Sequence, residues 1–430
     1  MFFQILWRRA RVLTDNEFVE IRYAGRPAAF LRGFKAAFFA IVLNLITLGW
    51  VFRAMGEVAR GLLGLGYWEG IWLCTTVVVV YSSMAGLWGV VATDLVQFFL
   101  ALGGTVWLGV RAASAFGGVD GLVAAAQASP AAPAGLAPGG LLEVFPSPGH
   151  PAFAAFLVFV SLQWWNIHNA DGGGMFIQRF SAGRDERHAS IGAAWFLLCH
   201  YILRFWPWVL VALATLALPG TASDPAHNAT YVRAASSLAG PGLLGLLVVA
   251  FLAAFMSTVD TQVNWGASYL VHDLYVRFLV PGASARRQVA AARVATVSLM
   301  VIAALLSNLS WFDRIEKVWM FVAALGAGLG PWLILRWFWW RVNAWSEIAG
   351  LSASLVTTLA ISLGTEWAQA AGRLPPDAAV PAHVRLLWVV PTSLAVALWV
   401  TLRTAPVPGD RIEAFVGRVD PPGRWPGRTG

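Results

Sequence analysis

The chain has 430 residues, of which 58% are hydrophobic and only 12% charged, with 23 Trp and 26 Phe and a mean hydropathy of +0.66. An average soluble domain carries about 25% charged residues, so this composition excludes a soluble globular enzyme, a disordered chain and a nucleic-acid-binding domain. The formal charge of +8 comes largely from Arg residues between apolar segments. That pattern assigns the charge to orientation in a lipid bilayer rather than to a nucleic-acid partner.

The residues before Lys35 mix Arg8, Arg9, Asp15, Glu17 and Glu20 and lack the apolar core of a signal peptide. Residues 1–32 therefore read as a solvated cytoplasmic arm. Apolar runs follow at 33–56, 67–91, 95–115, 152–177, 190–217, 240–264, 287–309, 317–339, 345–364 and 384–403. Each is close to the length of about 20 residues that crosses hydrocarbon as a helix, and none alternates with the period of a barrel strand. The expectation is an all-α polytopic membrane protein with about ten transmembrane helices over residues 33–403. Its Gly-, Ala- and Pro-rich stretch 117–150 reads as a flexible extracytoplasmic loop, and 404–430 as a basic cytoplasmic tail. With the N-terminus placed in the cytoplasm, 21 of the 30 Lys and Arg fall inside, eight outside, and Arg204 lies within a span. This split favours an even number of spans with both termini inside. Cys74 and Cys199 lie in apolar runs and form no metal-ligand spacing.

Ionisable or hydrogen-bonding residues within a span are costly, so each marks a candidate functional position. In YSSMAGLWGVVATDLVQF (Tyr81–Phe98), Thr93 reads as an N-cap and Asp94 as a first-turn carboxylate at the positive end of the helix dipole. Capping accounts for Asp94 alone, not for Gln97 one turn deeper. In SLQWWNIHNADGGGMFIQRF (Ser161–Phe180), Gln163, Asn166, His168, Asn169 and Asp171 crowd one span and are followed by Gly172, Gly173 and Gly174. A polar, glycine-interrupted span points to a discontinuous helix and a binding site, against the simpler reading of a helix that ends early. In LAAFMSTVDTQVNWGASYLVHDLY (Leu252–Tyr275), Ala254, Ser257, Thr258 and Thr261 follow one helical stripe with Asp260 adjacent. Hydroxyls and main-chain carbonyls suit a hard, weakly held cation such as sodium, and the carboxylate adds a proton alternative. Small-residue helix packing explains part of the stripe but not the acid. The Trp-rich run RWFWWRVNAWSE (Arg336–Glu347) reads as an aromatic belt at the cytoplasmic interface. No P-loop, nucleophile elbow or HExxH occurs, which argues against an ATP-driven pump and a serine hydrolase.

Four of these stretches, in order, resemble the sodium:solute symporter family, which includes the sodium/glucose and sodium/proline cotransporters. DNEFVEIRY, beginning at Asp15, resembles the family's PEF-x-E-x-R-F segment, and YSSMAGLWGVVATDLVQ resembles its YS-x-x-GGL-x-x-V-x-x-TD-x-x-Q signature. Gln178-Arg179 with the charged turn after it resembles the QR motif, and AAFMSTVDTQVNWGASYLVHDLY resembles the AA-x-x-S-S/T helix ending in D-x-Y. The resemblance implies an inverted five-helix-repeat, LeuT-like transporter fold. It also implies that the leading helix and first two core helices are missing, because the PEF-like segment normally follows the second core helix.

By position, the resemblance implies a sodium site at Ala254, Ser257 and Thr258, and a second cation or coupling site at Asp94, Asp260 and Thr261. Substrate contacts are implied at Asn166, Asn169 and His200, and Gln163 joins them as a polar residue of the same span. The glycine run Gly172–Gly174, read from the residues as the helix break, departs from the sugar and proline transporters, so substrate class is not carried over. Asp260 stands where a small or hydroxyl residue is usual, which leaves a proton open in place of one sodium ion. The implied activity is sodium-coupled import of a small organic solute across the plasma membrane, with no cofactor beyond the coupling ion and no enzymatic step. A truncated, transport-inactive remnant and a transporter-like membrane sensor are the alternatives.

Overall fold

The computed structural model describes residues 2–130, 132, 140–163, 167–219, 227–313, 315–375 and 378–426, and of 83–87, 227–229, 241, 313 and 315–317 the backbone only. Two short helices, α1 (Phe3–Ala10) and α2 (Asp15–Arg22), precede α3 (Gly25–Leu63). There follow α4 (Tyr67–Ala115), α5 (Val119–Gln127), α6 (Phe153–Gln163), α7 (Met175–Ala182), α8 (Glu186–Ala217) and α9 (His227–Leu238). α10 (Pro241–Ser268) continues as a wider π-helical stretch over Tyr269–Leu279. α11 (Ala285–Leu306), α12 (Ile315–Gly326), α13 (Gly330–Leu335), α14 (Ala344–Ala370), α15 (Ala382–Arg403) and α16 (Gly409–Val419) complete the chain.

Seven helices among the described residues are long and apolar enough to cross a membrane. Three of the ten expected spans are built differently. The run 67–91 is the first part of α4, the run 152–177 is broken between α6 and α7, and the run 317–339 is interrupted between α12 and α13. Large apolar side chains such as Phe99, Ile202, Leu363 and Trp399 stand exposed along the spans, as lipid-facing residues must.

α4 corrects the reading of Asp94. The backbone is helical from Tyr67 to Ala115, so Thr93 is not an N-cap. Its hydroxyl instead donates back to the Gly89 carbonyl at 2.8 Å. Yet Ser82 and Asp94 both reach α10, at Asp260 and Ser257, and the Tyr81 and Thr93 hydroxyls meet each other. Twelve residues of straight helix would separate them by about 18 Å. α4 therefore bends sharply between Ser82 and Thr93, and its two parts run as separate limbs against α10.

The first 32 residues are not a solvated arm. Thr14 caps α2 by accepting from the Glu17 backbone N–H at 3.1 Å, and the Glu17 carboxylate accepts from the Leu13 N–H at 3.0 Å, a reciprocal arrangement that fixes the start of the helix. Trp7, Phe18, Val19, Arg22 and Tyr23 are all buried. They form one core with Trp332, Trp337 and, from the C-terminal tail, Ile412, Phe415 and Val419 of α16. Charge on one face of α1, α2 and α16 hides an apolar stripe on the other, which charge counting alone misses. The Trp-rich run is likewise no simple interfacial belt, since Arg336 and Trp337 are fully buried while Trp345 is exposed. Within 117–150, α5 is a helix packed through Leu122 and Ala126 on Ala112 and Leu213, so that stretch is only partly irregular.

Four fully buried charges join the layers. Arg336 donates to Asp171 at 2.6 and 3.1 Å and to Glu347 at 3.4 Å. Lys35 donates to Glu347 at 3.3 Å, and the Tyr23 hydroxyl does so at 2.7 Å. Trp337 Nε1 adds a bond to the Asp171 carboxylate at 2.8 Å, and Trp7 Nε1 one to the Asp171 carbonyl at 2.7 Å. All four charged side chains are 0% exposed. The cluster ties α3, the segment before α7, the end of α13 and the start of α14 into one unit.

Two stability measurements test this architecture by unfolding in mild detergent. Trp7→Ala is expected to cost about 3–5 kcal/mol, whereas Leu13→Ala, at an exposed position, should stay within about 0.5 kcal/mol. Equal small losses would return the N-terminal helices to solvent. Arg336→Met leaves the buried Asp171 without its cation, while Glu347 keeps Lys35, and should cost about 3–5 kcal/mol. Arg60→Met, at a half-exposed pair with Glu57, should cost less than about 1 kcal/mol.

Candidate functional site

Ser257 and Thr261 are four residues apart on α10 and so lie one above the other on the same face, against the second limb of α4. Ser257 Oγ donates to Asp94 Oδ1 at 2.6 Å. Arg179 of α7 donates to Asp94 Oδ2 at 3.2 Å and to Thr261 Oγ1 at 2.8 Å. Three helices thus meet at one carboxylate. The Asp94 and Arg179 side chains are 20% and 33% exposed, so this pair, unlike the buried quartet, keeps contact with open space.

The rest of the α10 stripe divides. Thr258 Oγ1 donates to the Ala254 carbonyl at 2.9 Å. Ala254 is exposed, while Ser257 and Thr258 are half-buried, so their oxygens border an open side of the helix. Asp260 points the other way, fully buried, where it accepts from Ser82 and adjoins the Tyr81 hydroxyl. Its second carboxylate oxygen is buried, and the adjoining Tyr81 hydroxyl is its one polar neighbour recorded among the described residues. Asp94 and Thr261 therefore share one node, and Asp260 belongs to a neighbouring one.

Residues 167–174 are non-helical between α6 and α7. Gly172 and Gly174 take φ of 76° and 69°, left-handed values that a side chain disfavours. Gly173 is crowded rather than turned, because a Cβ there would meet the Asp15 and Asp171 carboxylates at 3.2 Å and push them aside. The backbone N–H of Gly173 donates to Asp171 at 3.2 Å, which holds the turn.

A cavity of about 450 Å³ opens beside this turn, walled by Gly172, Phe176, Phe180, Trp195 and Phe196, with Asp94 and Arg179 on its lining. Phe176 meets Phe196 edge-on at 5.4 Å, and His200 stacks on the far side of Phe196 at 5.1 Å. His200 is thus one ring removed from the cavity. Asn169 is half-buried within the non-helical turn, its carbonyl accepting from Gly172 N–H at 2.9 Å. Gln163 lies elsewhere, on a second cavity of about 580 Å³ with Trp311, Glu366 and Arg385. Asn166 lies outside the described residues. The structure therefore brings Asp94, Ser257, Thr261 and Gly172 together and sets Gln163 apart.

Arg179 completes the node but was legible in sequence only as a cytoplasmic charge within the QR motif. Its signal was its spacing. It lies one helical turn beyond Met175, the start of a helix opened by the glycine run, so its side chain can reach back toward the break. The Asp171 and Glu347 acids carried a similar signal, since each is an acid within or bordering an apolar run.

The family model "Sodium:solute symporter family" matches residues 1–353. Among curated proteins, the chain is 26% identical over 315 residues to the high-affinity proline transporter PutP of Bacillus subtilis, covering 71% of this chain and 61% of that protein. It is 28% identical over 313 residues to the osmoregulated proline transporter OpuE of the same organism, covering 71% and 59%. It is 25% identical over 377 residues to the sodium/glucose cotransporter of Vibrio parahaemolyticus, covering 80% and 65%. The chain thus spans about three-fifths of the length of the curated relatives it matches first. A solved Na+-coupled sialic acid symporter in a substrate-bound, outward-open state superposes with a TM-score of 0.71 at 17% identity, over 95% of this chain and 80% of that one. That likeness establishes an all-helical, LeuT-like transporter fold. The chain is a multi-pass membrane protein of the sodium:solute symporter family, whose members are transporters and not enzymes.

Proposed function

We propose that this protein is a sodium-coupled secondary active symporter that imports a small organic solute across the plasma membrane. The observation that carries the reading is the node at which Asp94, Ser257, Thr261 and Arg179 meet beside the broken helix. Sodium favours hard oxygen ligands, and the Ala254 carbonyl with the Ser257 and Thr258 hydroxyls offers three on the open side of α10. Asp94 and Thr261 provide a second cation position that the Arg179 guanidinium shares. Asp260, a buried carboxylate beside the Ser82 and Tyr81 hydroxyls, is a separate place where a cation or proton would be held.

Coupling follows from differential binding. A cation at the stripe stabilises whichever arrangement of α4, α7 and α10 brings the most oxygens to it, and so shifts the population toward that state. The solute is assigned to the aromatic cavity beside the break, with Asn169 at its turn and His200 backing Phe196. Apolar walls and one ion pair suit a solute with a compact apolar body and a charged end. A sugar would leave several hydroxyls without partners there. This favours the chemistry of the proline transporters among its relatives over that of the glucose cotransporter.

Both termini are assigned to the cytoplasm. The segments that the positive-inside count groups together also touch one another: Arg9 with Glu186 and Asp420, Glu20 with Arg277, and Arg341 with the Leu402 carbonyl.

Sodium-gradient-driven uptake into proteoliposomes across a panel of solutes tests the proposal. Ser257→Ala and Asp94→Asn should each lower uptake roughly tenfold or more, since a hydrogen bond to a charged group is worth about 1.5–3 kcal/mol. Uptake indifferent to sodium, or undamaged by both substitutions, would overturn the assignment. Arg179→Gln frees Asp94 from its guanidinium, so half-maximal uptake should come at a lower sodium concentration. A shift to higher sodium would instead make Arg179 a support for the site's geometry.

A further inference from the structure

Five arginines from three separate segments surround a cavity of about 650 Å³ on the face that carries both termini. Arg8 and Arg9 come from the last turn of α1, Arg11 from its C-cap, Arg184 from the turn before α8, and Arg418 from α16. The two acids on the cavity wall are already engaged. Glu186 accepts from Arg9 at 2.8 and 3.2 Å. Asp185 caps α8, accepting from the His188 backbone N–H at 2.9 Å and from its ring at 2.8 Å. Those two bonds hold its carboxyl below the ordinary range. Arg9 also lies 3.6 Å from Asp420.

The other four arginines have no ion-pair partner among the described residues. Backbone carbonyls fix two of them instead. Arg418 donates to the carbonyls of Ala10 and Arg11 at 2.9 and 3.2 Å, and Arg8 donates to that of Arg184 at 3.2 Å. Each guanidinium is thereby held by one edge, while its remaining donors stay free to bind. Arg8 Nε is buried with no hydrogen-bond partner among the described residues. Arg11 sits at φ 50°, a left-handed C-cap where glycine is the usual residue, so a side chain is kept there against backbone preference.

Five arginines against two carboxylates leave a net positive charge around one space, and like charges repel one another. The arrangement becomes favourable when a multiply charged oxyanion accepts from several guanidinium forks at once, the geometry in which Arg binds phosphate. α8 begins at Glu186, on the cavity wall, and runs on as an apolar span to Ala217. The cavity therefore lies at the level where a span enters the lipid headgroups.

We propose that this cavity binds a phosphoryl oxyanion, either the headgroup of an anionic phospholipid or a soluble phosphate ester, and that the bound anion clamps α1, the start of α8 and α16 together. The site is separate from the ion and solute positions and does not depend on them.

Thermal unfolding of the full chain in nanodiscs tests it. One arm compares phosphatidylcholine discs with discs containing phosphatidylglycerol, and the other adds millimolar inorganic phosphate to phosphatidylcholine discs. A ligand well above its dissociation constant should raise the midpoint by roughly 2–5 °C. A rise with phosphatidylglycerol alone assigns the site to lipid, and a rise with phosphate assigns it to a soluble ester. The double substitution Arg11→Gln/Arg184→Gln should abolish that rise, whereas Arg187→Gln, off the cavity wall, should preserve it. The proposal fails if neither anion moves the midpoint, or if the double variant responds as the parent does. Should the double variant not fold, Arg11→Gln alone serves, with an expected several-fold weakening of phosphate binding by isothermal titration; unchanged binding would equally refute the site.

Discussion

Everything in this fold that needs to stay still is tied to one buried ionic quartet. Lys35, Glu347, Arg336 and Asp171 carry two positive and two negative charges, all withdrawn from water. Removing four ions from solvent costs several kcal/mol each, and their mutual attraction offsets this only when geometry and hydrogen bonding are good. Here Tyr23, Trp337 and the Gly173 N–H supply the remaining bonds to the two carboxylates. A network satisfied to that degree is rigid, because any movement of one member leaves another charge stranded in low dielectric.

The helix break is the beneficiary. An unwound segment inside a membrane span exposes main-chain groups that lipid cannot satisfy. Asp171 answers this by anchoring the turn at both its carboxylate and its carbonyl, while Gly172 and Gly174 take the backbone angles the turn requires. The Asp94–Arg179 pair at the other end of the segment is built on the opposite principle. It is partly exposed, shares its cation donor with a neutral hydroxyl, and is bound by four contacts in all. A pair that keeps contact with open space is weakly held and so exchangeable. One end of the break is therefore fixed and the other can trade partners, which is the asymmetry that coupling between an ion and a solute needs.

Much of this was legible in the sequence, and what was not has a common cause. Apolar runs reported the spans because burial in lipid is a local property of about 20 residues, and the glycine run reported the break because backbone freedom is local too. The stripe Ala254, Ser257, Thr258 and Thr261 came from helical period alone. Partners are not local. Lys35 and Glu347 lie 312 residues apart, and Ser82 and Asp260 lie 178 apart, so no periodicity connects them. The bend in α4 escaped for the same reason, since it is revealed by the meeting of Tyr81 with Thr93 and by two contacts with α10. The N-terminal helices escaped because their apolar stripe is short and interleaved with charge, so composition reads as solvated what Trp7 and Phe18 bury. Gln163 drew notice because its span is polar, yet it lines a different cavity from the one beside Gly172.

The burial of α1 also links two regions that would otherwise be unrelated. Trp7 holds the Asp171 carbonyl through its indole N–H, and its ring packs against Phe18 and Trp337 at 4.9 Å. The next residue, Arg8, lies on the arginine-lined cavity, and α16, which carries Arg418 to the same cavity, places Phe415 against Phe18. A load on the cavity is therefore carried into the aromatic core that supports the break, through side chains in direct contact. Contiguity of this kind supplies a route but not a coupling energy, which requires an element with two arrangements that both sites bias. The quartet cannot be that element, because it has no low-cost second state. The exchangeable Asp94–Arg179 pair can, since α7 is joined to the fixed turn at one end and carries Arg179 near the other. Any influence of the terminal face on ion binding would pass through the orientation of α7.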